Sequence, residues 1–114
     1  MKGQPFSKRL TFALRGLSLA FRRERSLRFQ TLAGTAVLLV LSITRPAPLW
    51  WAVGALTIGL VMMAELMNAA LETLADRLHP ERHPEIGAAK DMAAGAVLAA
   101  SVTAVLVAIA FIFR

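Results

Sequence analysis

Three long stretches without an ionisable side chain dominate this 114-residue sequence. They span 29–44, 46–64 and 92–113, and contain 16, 19 and 22 residues. Because the hydrocarbon core of a bilayer is about 30 Å thick, a helix needs roughly 20 apolar residues to cross it. The third stretch has this length, the second reaches it when its helix continues past Glu65, and the first needs its flanking residues. We therefore predict an all-α integral membrane protein with three transmembrane helices.

The overall composition excludes several other classes of protein. Hydrophobic residues make up 57% of the chain and charged residues 18%, whereas soluble domains have about 25% charged residues. A disordered chain is excluded as well, because disorder requires low hydrophobicity. The sequence contains no cysteine, which excludes disulfides, zinc–thiolate sites and thiol nucleophiles.

The connections between the spans divide the chain into segments. The segment 45–48, RPAP, cannot continue as helix because of its prolines, and Trp50 and Trp51 follow it at the level where membrane aromatics concentrate. Two His-Pro pairs within 79–84 indicate a loop. We expect one domain over 1–114, made of the following parts: an amphipathic surface helix at 1–28, spans at about 29–44, 48–75 and 91–113, and a loop at 76–90.

Charge is divided unequally between these segments. Residues 1–28 carry a net charge of +7, whereas residues 65–91 carry −3. Cytoplasmic segments of membrane proteins are enriched in Lys and Arg, so the N-terminal segment is predicted to be cytoplasmic. Three spans then place the loop at 76–90 in the cytoplasm and the C-terminus outside.

The basic N-terminal segment has the periodicity of a helix. Its apolar residues recur at spacings of three and four: Phe6, Leu10, Leu14, Leu17 and Phe21. Lys8, Arg15 and Arg22 lie on the opposite side. A basic amphipathic helix before a span is typical of a helix lying on anionic lipid. The positive charge is therefore assigned to the membrane surface, and no nucleic-acid partner is predicted.

Polar side chains recur along the C-terminal part of the second span: Glu65, Asn68, Glu72 and Asp76. At 100° per residue these side chains share a face about 80° wide. Glu65 directly follows an uncharged stretch, and an ionised carboxylate at that depth costs on the order of a few kcal/mol without a partner, a cation or water. Three acids and an amide in register indicate a functional site. A structural stripe between helices is the alternative.

A second polar group precedes the third span. Lys90 can supply positive charge to a phosphate, and Asp91 can sit at a helix start, where the macrodipole favours a carboxylate. Glu24 can complete a carboxylate pair with Glu72, and Mg²⁺ is commonly held by carboxylates plus substrate phosphates. These residues suit Mg²⁺-assisted phosphoryl transfer, although the sequence has neither a Walker loop nor a kinase glycine loop.

The run ELMNAALETLAD at 65–76, His83-Pro84 and the run AKDMAAGAVL at 89–98 resemble the membrane-integral prokaryotic diacylglycerol kinase family, which includes undecaprenol kinases. The resemblance covers essentially the whole chain. It implies a homotrimer in the bacterial inner membrane, with active sites shared between neighbouring subunits. It also implies ATP with Mg²⁺ as phosphoryl donor and a membrane lipid alcohol as acceptor.

The resemblance further implies a role for each polar residue. Glu65 matches the catalytic base at the lipid hydroxyl, and Asn68 matches its polar neighbour. Glu24 and Glu72 match the metal-binding carboxylates, which also meet the nucleotide. The other nucleotide-binding matches are Glu81, Arg82, His83, Lys90 and Asp91. Asp76 matches a structural position below the site.

Some positions depart from the family, and the acceptor lipid stays open. Phe12 stands where some members have a nucleotide-side Tyr, and Pro5 stands near an Arg position that Arg9 can replace. The loop at 79–84 is similar to undecaprenol kinases, whereas Asp76-Arg77 and the KDM sequence at 90–92 also suit diacylglycerol kinases. We favour diacylglycerol, with undecaprenol as the alternative. A non-catalytic membrane adaptor and a proton-coupled transporter are the alternatives from other classes.

Overall fold

The computed structural model describes residues 2–114, and this part of the chain folds into helices and short connections. The helices are α1 (Phe6–Arg23), α2 (Arg25–Thr44), α3 (Pro48–Leu78) and α4 (Pro84–Ile112). The last three are long and apolar enough to cross a membrane. The predicted all-α membrane architecture with three spans is confirmed.

The break between α1 and α2 lies at Glu24, whose backbone is extended. Helix α1 therefore ends at Arg23, before the limit of residue 28 that was predicted for the surface helix, and α2 begins at Arg25 rather than at 29. Arg28 stabilises the break between α1 and α2. Its Nη1 donates to the carbonyl oxygens of Phe21 and Arg22, each over 2.9 Å. This guanidinium caps the last carbonyls of α1, where the helix dipole favours a cation.

The connection between α3 and α4 is shorter than predicted. Residues 76–78 belong to α3 and residues 84–90 to α4, so only 79–83 form the loop. Proline is tolerated in the first turn of a helix because its missing amide hydrogen is not needed there, and Pro84 starts α4 in this way. The His83 side chain caps the same helix, since its Nδ1 accepts a hydrogen bond from the Glu85 amide over 3.1 Å.

α3 is the central element of the structure. Both α2 and α4 pack against it, as does α1 near its break with α2. Its 31 residues correspond to about 46 Å at 1.5 Å per residue, so it extends beyond a bilayer core of about 30 Å. The buried apolar residues lie on α2, α3 and α4: Leu27, Leu41, Val61, Ala69 and Ala100.

The α2–α3 contact depends on glycine at two places. A methyl group added to Gly34 would lie 3.2 Å from Ile58 Cγ2, and one added to Gly54 would lie 3.1 Å from Leu41 Cδ1. α2 ends at Thr44, and the residue after it, Arg45, is a non-glycine residue with a left-handed backbone (φ 49°). The Arg45 amide donates to the Leu41 carbonyl, which closes the helix before Pro46.

Candidate functional site

Glu65 is the one buried charged side chain in residues 2–114, with 6% of its surface exposed. It lies on α3 directly after the uncharged stretch at 46–64. Its carboxylate Oε2 accepts a hydrogen bond from Ser26 Oγ of α2 over 2.9 Å. A buried carboxylate needs such a partner because removing it from water is costly.

Asn68 and Glu72, the next two polar residues of the stripe, lie one turn apart on α3, which is helical throughout 48–78. Asn68 Nδ2 donates to Glu72 Oε1 over 3.3 Å. Asn68 Oδ1 is buried and has no hydrogen-bond partner among the described residues. Because buried polar atoms are normally paired, this amide oxygen is suited to accept a hydrogen bond from a ligand.

Asp76 and Lys90 join the C-terminal end of α3 to the first turns of α4. Lys90 Nζ lies 2.7 Å from Asp76 Oδ1, in an ion pair between two partly exposed side chains. The hydrogen bond that Lys90 donates to Asp76, together with the charge of that carboxylate, raises the pKa of Lys90 above its usual value. The ammonium group is therefore charged throughout the neutral pH range, as phosphate binding requires.

A polar cavity of about 510 Å³ opens beside this ion pair. Its lining includes all the nucleotide-binding candidates from the loop and the start of α4: Glu81, Arg82, His83, Lys90 and Asp91. The cavity has the size of a ligand pocket. The short loop and its two flanking helix ends thus bring together residues that are up to ten positions apart.

The two loop histidines have their Nδ1 atoms occupied. His79 Nδ1 lies 3.0 Å from the Glu81 carbonyl oxygen, and the His83 Nδ1 accepts the amide of Glu85. A neutral imidazole that accepts at Nδ1 carries its proton on Nε2. His83 can therefore donate from Nε2 to an acceptor in the cavity.

Glu24 is half-buried at the break between α1 and α2, whereas Glu72 lies on α3. Residues 2–114 contain no group of three or more acids or histidines arranged around a metal position. The metal site that the sequence predicts, Glu24 with Glu72, has only two members and stays a prediction.

An apolar groove of about 380 Å³ lies between α2 and α4, with α3 as its floor. Its lining includes Gly34, Gly54, Trp50 and Phe111, and it extends to Gln30 and Val61. Gln30 and Val61 are each one helical turn from Ser26 and Glu65, respectively. The groove therefore leads through the predicted membrane region toward the buried carboxylate.

Ser26 is the residue of this site that sequence reasoning missed. It lies outside the acid stripe and belongs to none of the patterns described above. A serine at the start of a span is an ordinary helix-end residue in sequence, and only the packing of α2 on α3 reveals its contact with Glu65.

Comparison with known proteins gives consistent results. A family model described as Prokaryotic diacylglycerol kinase matches residues 11–112. The chain is 42% identical to a diacylglycerol kinase of Synechocystis over 84% of its own length and 55% of the relative's. It is 37% identical to an undecaprenol kinase of Bacillus subtilis, over 81% of the chain and 75% of the relative.

A diacylglycerol kinase of Escherichia coli K12 is 36% identical over 83% of the chain and 78% of that protein. The chain thus spans about half the length of the Synechocystis relative and about three quarters of the other two. The family match covers most of the chain, including the acid stripe and the polar cavity. This multi-pass membrane protein belongs to the prokaryotic diacylglycerol kinase family.

Proposed function

We propose that this protein is a membrane lipid kinase that transfers the γ-phosphate of ATP to diacylglycerol, giving phosphatidic acid and ADP. The observation that carries the proposal is the position of Glu65. Its buried carboxylate lies one turn from the end of an apolar groove, and the polar cavity lies further along the same helix. A lipid alcohol and a nucleotide need these two environments side by side.

Glu65 is the proposed catalytic base. It accepts the proton of the lipid hydroxyl as that oxygen attacks the γ-phosphorus and the bond to the β-phosphate oxygen breaks. Positioned general bases contribute roughly 10²–10⁴-fold to rate. Asn68 lies one turn further along α3, and its unpaired Oδ1 is available to accept a hydrogen bond from a donor in the occupied site.

The nucleotide is proposed to occupy the cavity beside the 79–83 loop. Lys90 supplies positive charge to its phosphates, and His83 and Arg82 supply further donors. Glu81 and Asp91 complete the nucleotide-binding set. Lys90 is held by Asp76 before the nucleotide arrives, so phosphate binding either replaces this ion pair or shares its ammonium group.

Mg²⁺ is proposed to bind at Glu72 and Glu24. Both supply hard carboxylate oxygens of the kind Mg²⁺ prefers, and Glu72 is already oriented by Asn68. The ion would neutralise charge on the phosphates. We propose that the Glu24 that pairs with Glu72 comes from a neighbouring subunit of a homotrimer, as the family resemblance implies. The Glu72→Gln variant is expected to need about tenfold more Mg²⁺ for half-maximal rate.

The site is proposed to face the cytoplasm of a bacterial inner membrane, since the basic residues cluster on the α1 side. Diacylglycerol is the proposed acceptor, in line with the names of the Synechocystis and Escherichia coli relatives. Undecaprenol is the second candidate, because the Bacillus subtilis relative of comparable identity is an undecaprenol kinase.

The test is a side-by-side assay of the purified protein in mixed micelles with Mg²⁺·ATP and either diacylglycerol or undecaprenol. We expect phosphate transfer to diacylglycerol at the higher kcat/KM. Faster transfer to undecaprenol would replace the acceptor and keep the reaction. Absence of transfer to both lipids, where the Escherichia coli relative is active, would overturn the kinase proposal and favour the adaptor. An adaptor would also show no Mg²⁺·ATP protection of residues 79–83 from proteolysis.

A further inference from the structure

We propose that Ser26 is a positioning residue that holds the Glu65 carboxylate in the orientation required to accept the lipid hydroxyl proton. The inference rests on the proposed function, in which Glu65 is the base. The observation that supports it is the 2.9 Å hydrogen bond from Ser26 Oγ to Glu65 Oε2. This bond joins α2 to α3 between residues that are 39 positions apart in sequence.

Ser26 differs from every other hydroxyl side chain of α2. The others each donate to the backbone carbonyl four residues earlier in the same helix: Thr31, Thr35, Ser42 and Thr44. Such bonds within one helix are the usual arrangement for Ser and Thr. Thr31 Oγ1 also lies 4.0 Å from Met62 Sδ of α3, but among these hydroxyls Ser26 alone donates to an acidic side chain and to no carbonyl of its own helix.

The helix break at Glu24 explains why this hydroxyl is available. The carbonyl four residues before Ser26 belongs to Arg22, at the end of α1, and it accepts Arg28 Nη1 instead. α2 begins at Arg25, so Ser26 lies in its first turn, where the helix has no carbonyl four residues earlier for the hydroxyl to bond. Leu27, buried next to it, fixes this turn.

The hydrogen bond engages only one of the two carboxylate oxygens. Glu65 Oε1 accepts no hydrogen bond from residues 2–114, so it is the oxygen left to receive a substrate proton. Rotation of the carboxylate would exchange the two oxygens and misdirect the free one. Misplacement of a catalytic group by about 1 Å can cost roughly 10²-fold in rate, which is the effect that Ser26 prevents.

The test compares Ser26→Ala and Ser26→Thr with a matched control, Ser42→Ala, which removes a hydroxyl at the other end of α2 that bonds only within its own helix. We expect Ser26→Ala to lower kcat about tenfold to a hundredfold, with KM for lipid and for ATP nearly unchanged. Ser26→Thr, which keeps the hydroxyl, should recover most of kcat. Ser42→Ala should match the unmodified protein.

A second measurement follows the contact without relying on turnover. Dicyclohexylcarbodiimide reacts with carboxyl groups in apolar surroundings, and mass spectrometry measures its attachment to Glu65. Labelling should be several-fold faster in Ser26→Ala and unchanged in Ser26→Thr and Ser42→Ala. Equal labelling of Glu65 in the unmodified protein and the three variants would show that Ser26 does not hold the Glu65 carboxylate.

The outcomes separate this inference from the proposed function. An active protein whose Ser26→Ala variant keeps full kcat overturns the positioning role alone, and so does a variant that changes KM but not kcat. A protein that phosphorylates no lipid overturns the kinase proposal, and the catalytic role of Ser26 with it.

Discussion

In its N-terminal half α3 meets α2 through glycine, whereas in its C-terminal half it meets α2 through a hydrogen bond to a buried acid. Gly34 and Gly54 allow Ile58 and Leu41 to pack within van der Waals distance of the opposite backbone. Further along, Ser26 contacts Glu65. One helix thus has an apolar packing half and a polar half, separated near Val61.

The difference separates the close packing in one half of α3 from the proposed chemistry in the other half. Close packing contributes through many weak contacts that need matched shapes. The polar half uses few contacts, leaves Asn68 Oδ1 unpaired and keeps much of its acid stripe accessible. Substitutions in the polar half should therefore reduce activity with little loss of stability, and substitutions in the packing half should do the reverse.

The largest expected effect is that of Glu65→Gln. The amide keeps the shape and can still accept the Ser26 hydrogen bond, but it cannot take the proton. We expect lipid phosphorylation to fall by about 10³-fold with an unchanged thermal midpoint in detergent. Glu85→Gln, an exposed acid in the first turn of α4, is the matched control and should remain active. Activity of Glu65→Gln above a tenth of normal would show that Glu65 is not the base.

The next effect separates Lys90 from its ion-pair partner. Lys90→Met removes the ammonium and should lower kcat/KM for ATP about 10²-fold, whereas Asp76→Asn keeps it and should cost much less, since partly exposed ion pairs contribute only about 0–1 kcal/mol. Steady-state kinetics with varied ATP measure both. Equal losses in the two variants would indicate that the ion pair itself, rather than the lysine charge, serves the nucleotide.

Gly54→Val tests the packing half. Its side chain would crowd Leu41, and overpacking of this kind costs about 1–3 kcal/mol, so the thermal midpoint should fall while KM for ATP stays constant. Gly59→Val is the control on the same helix, because a methyl group there would meet nothing within 4 Å. A change in KM for ATP without loss of stability would contradict the separation of the two halves.

The smallest expected effect is at Arg45, at the end of the α2–α3 hairpin. A left-handed backbone costs a non-glycine residue about 1–2 kcal/mol, so Arg45→Gly should raise stability by up to about 1 kcal/mol. Arg45→Ala keeps the unfavourable backbone and should give no gain. Thermal midpoints of the two variants provide the comparison, and equal midpoints would show that the arginine side chain, not the backbone, dominates.

Much of this architecture could be predicted from the sequence because it depends on local properties. Uncharged stretches of sufficient length indicate spans, and a period of 3.6 residues places Glu65 and Glu72 on one face. Helix boundaries were less predictable. Pro84 indicated a loop, but it starts α4, because proline both stops one helix and begins the next.

The amino-acid sequence by itself determined three apolar helices long enough to cross a membrane, a basic amphipathic helix before them and one face of acids, since hydrophobic length and helical periodicity are properties of neighbouring residues. Only the tertiary structure decided that Ser26 holds Glu65 and that Asp76 holds Lys90, because these pairs join residues 39 and 14 positions apart. The packing of α2 and α4 on α3 sets these distances, and no local pattern records that packing.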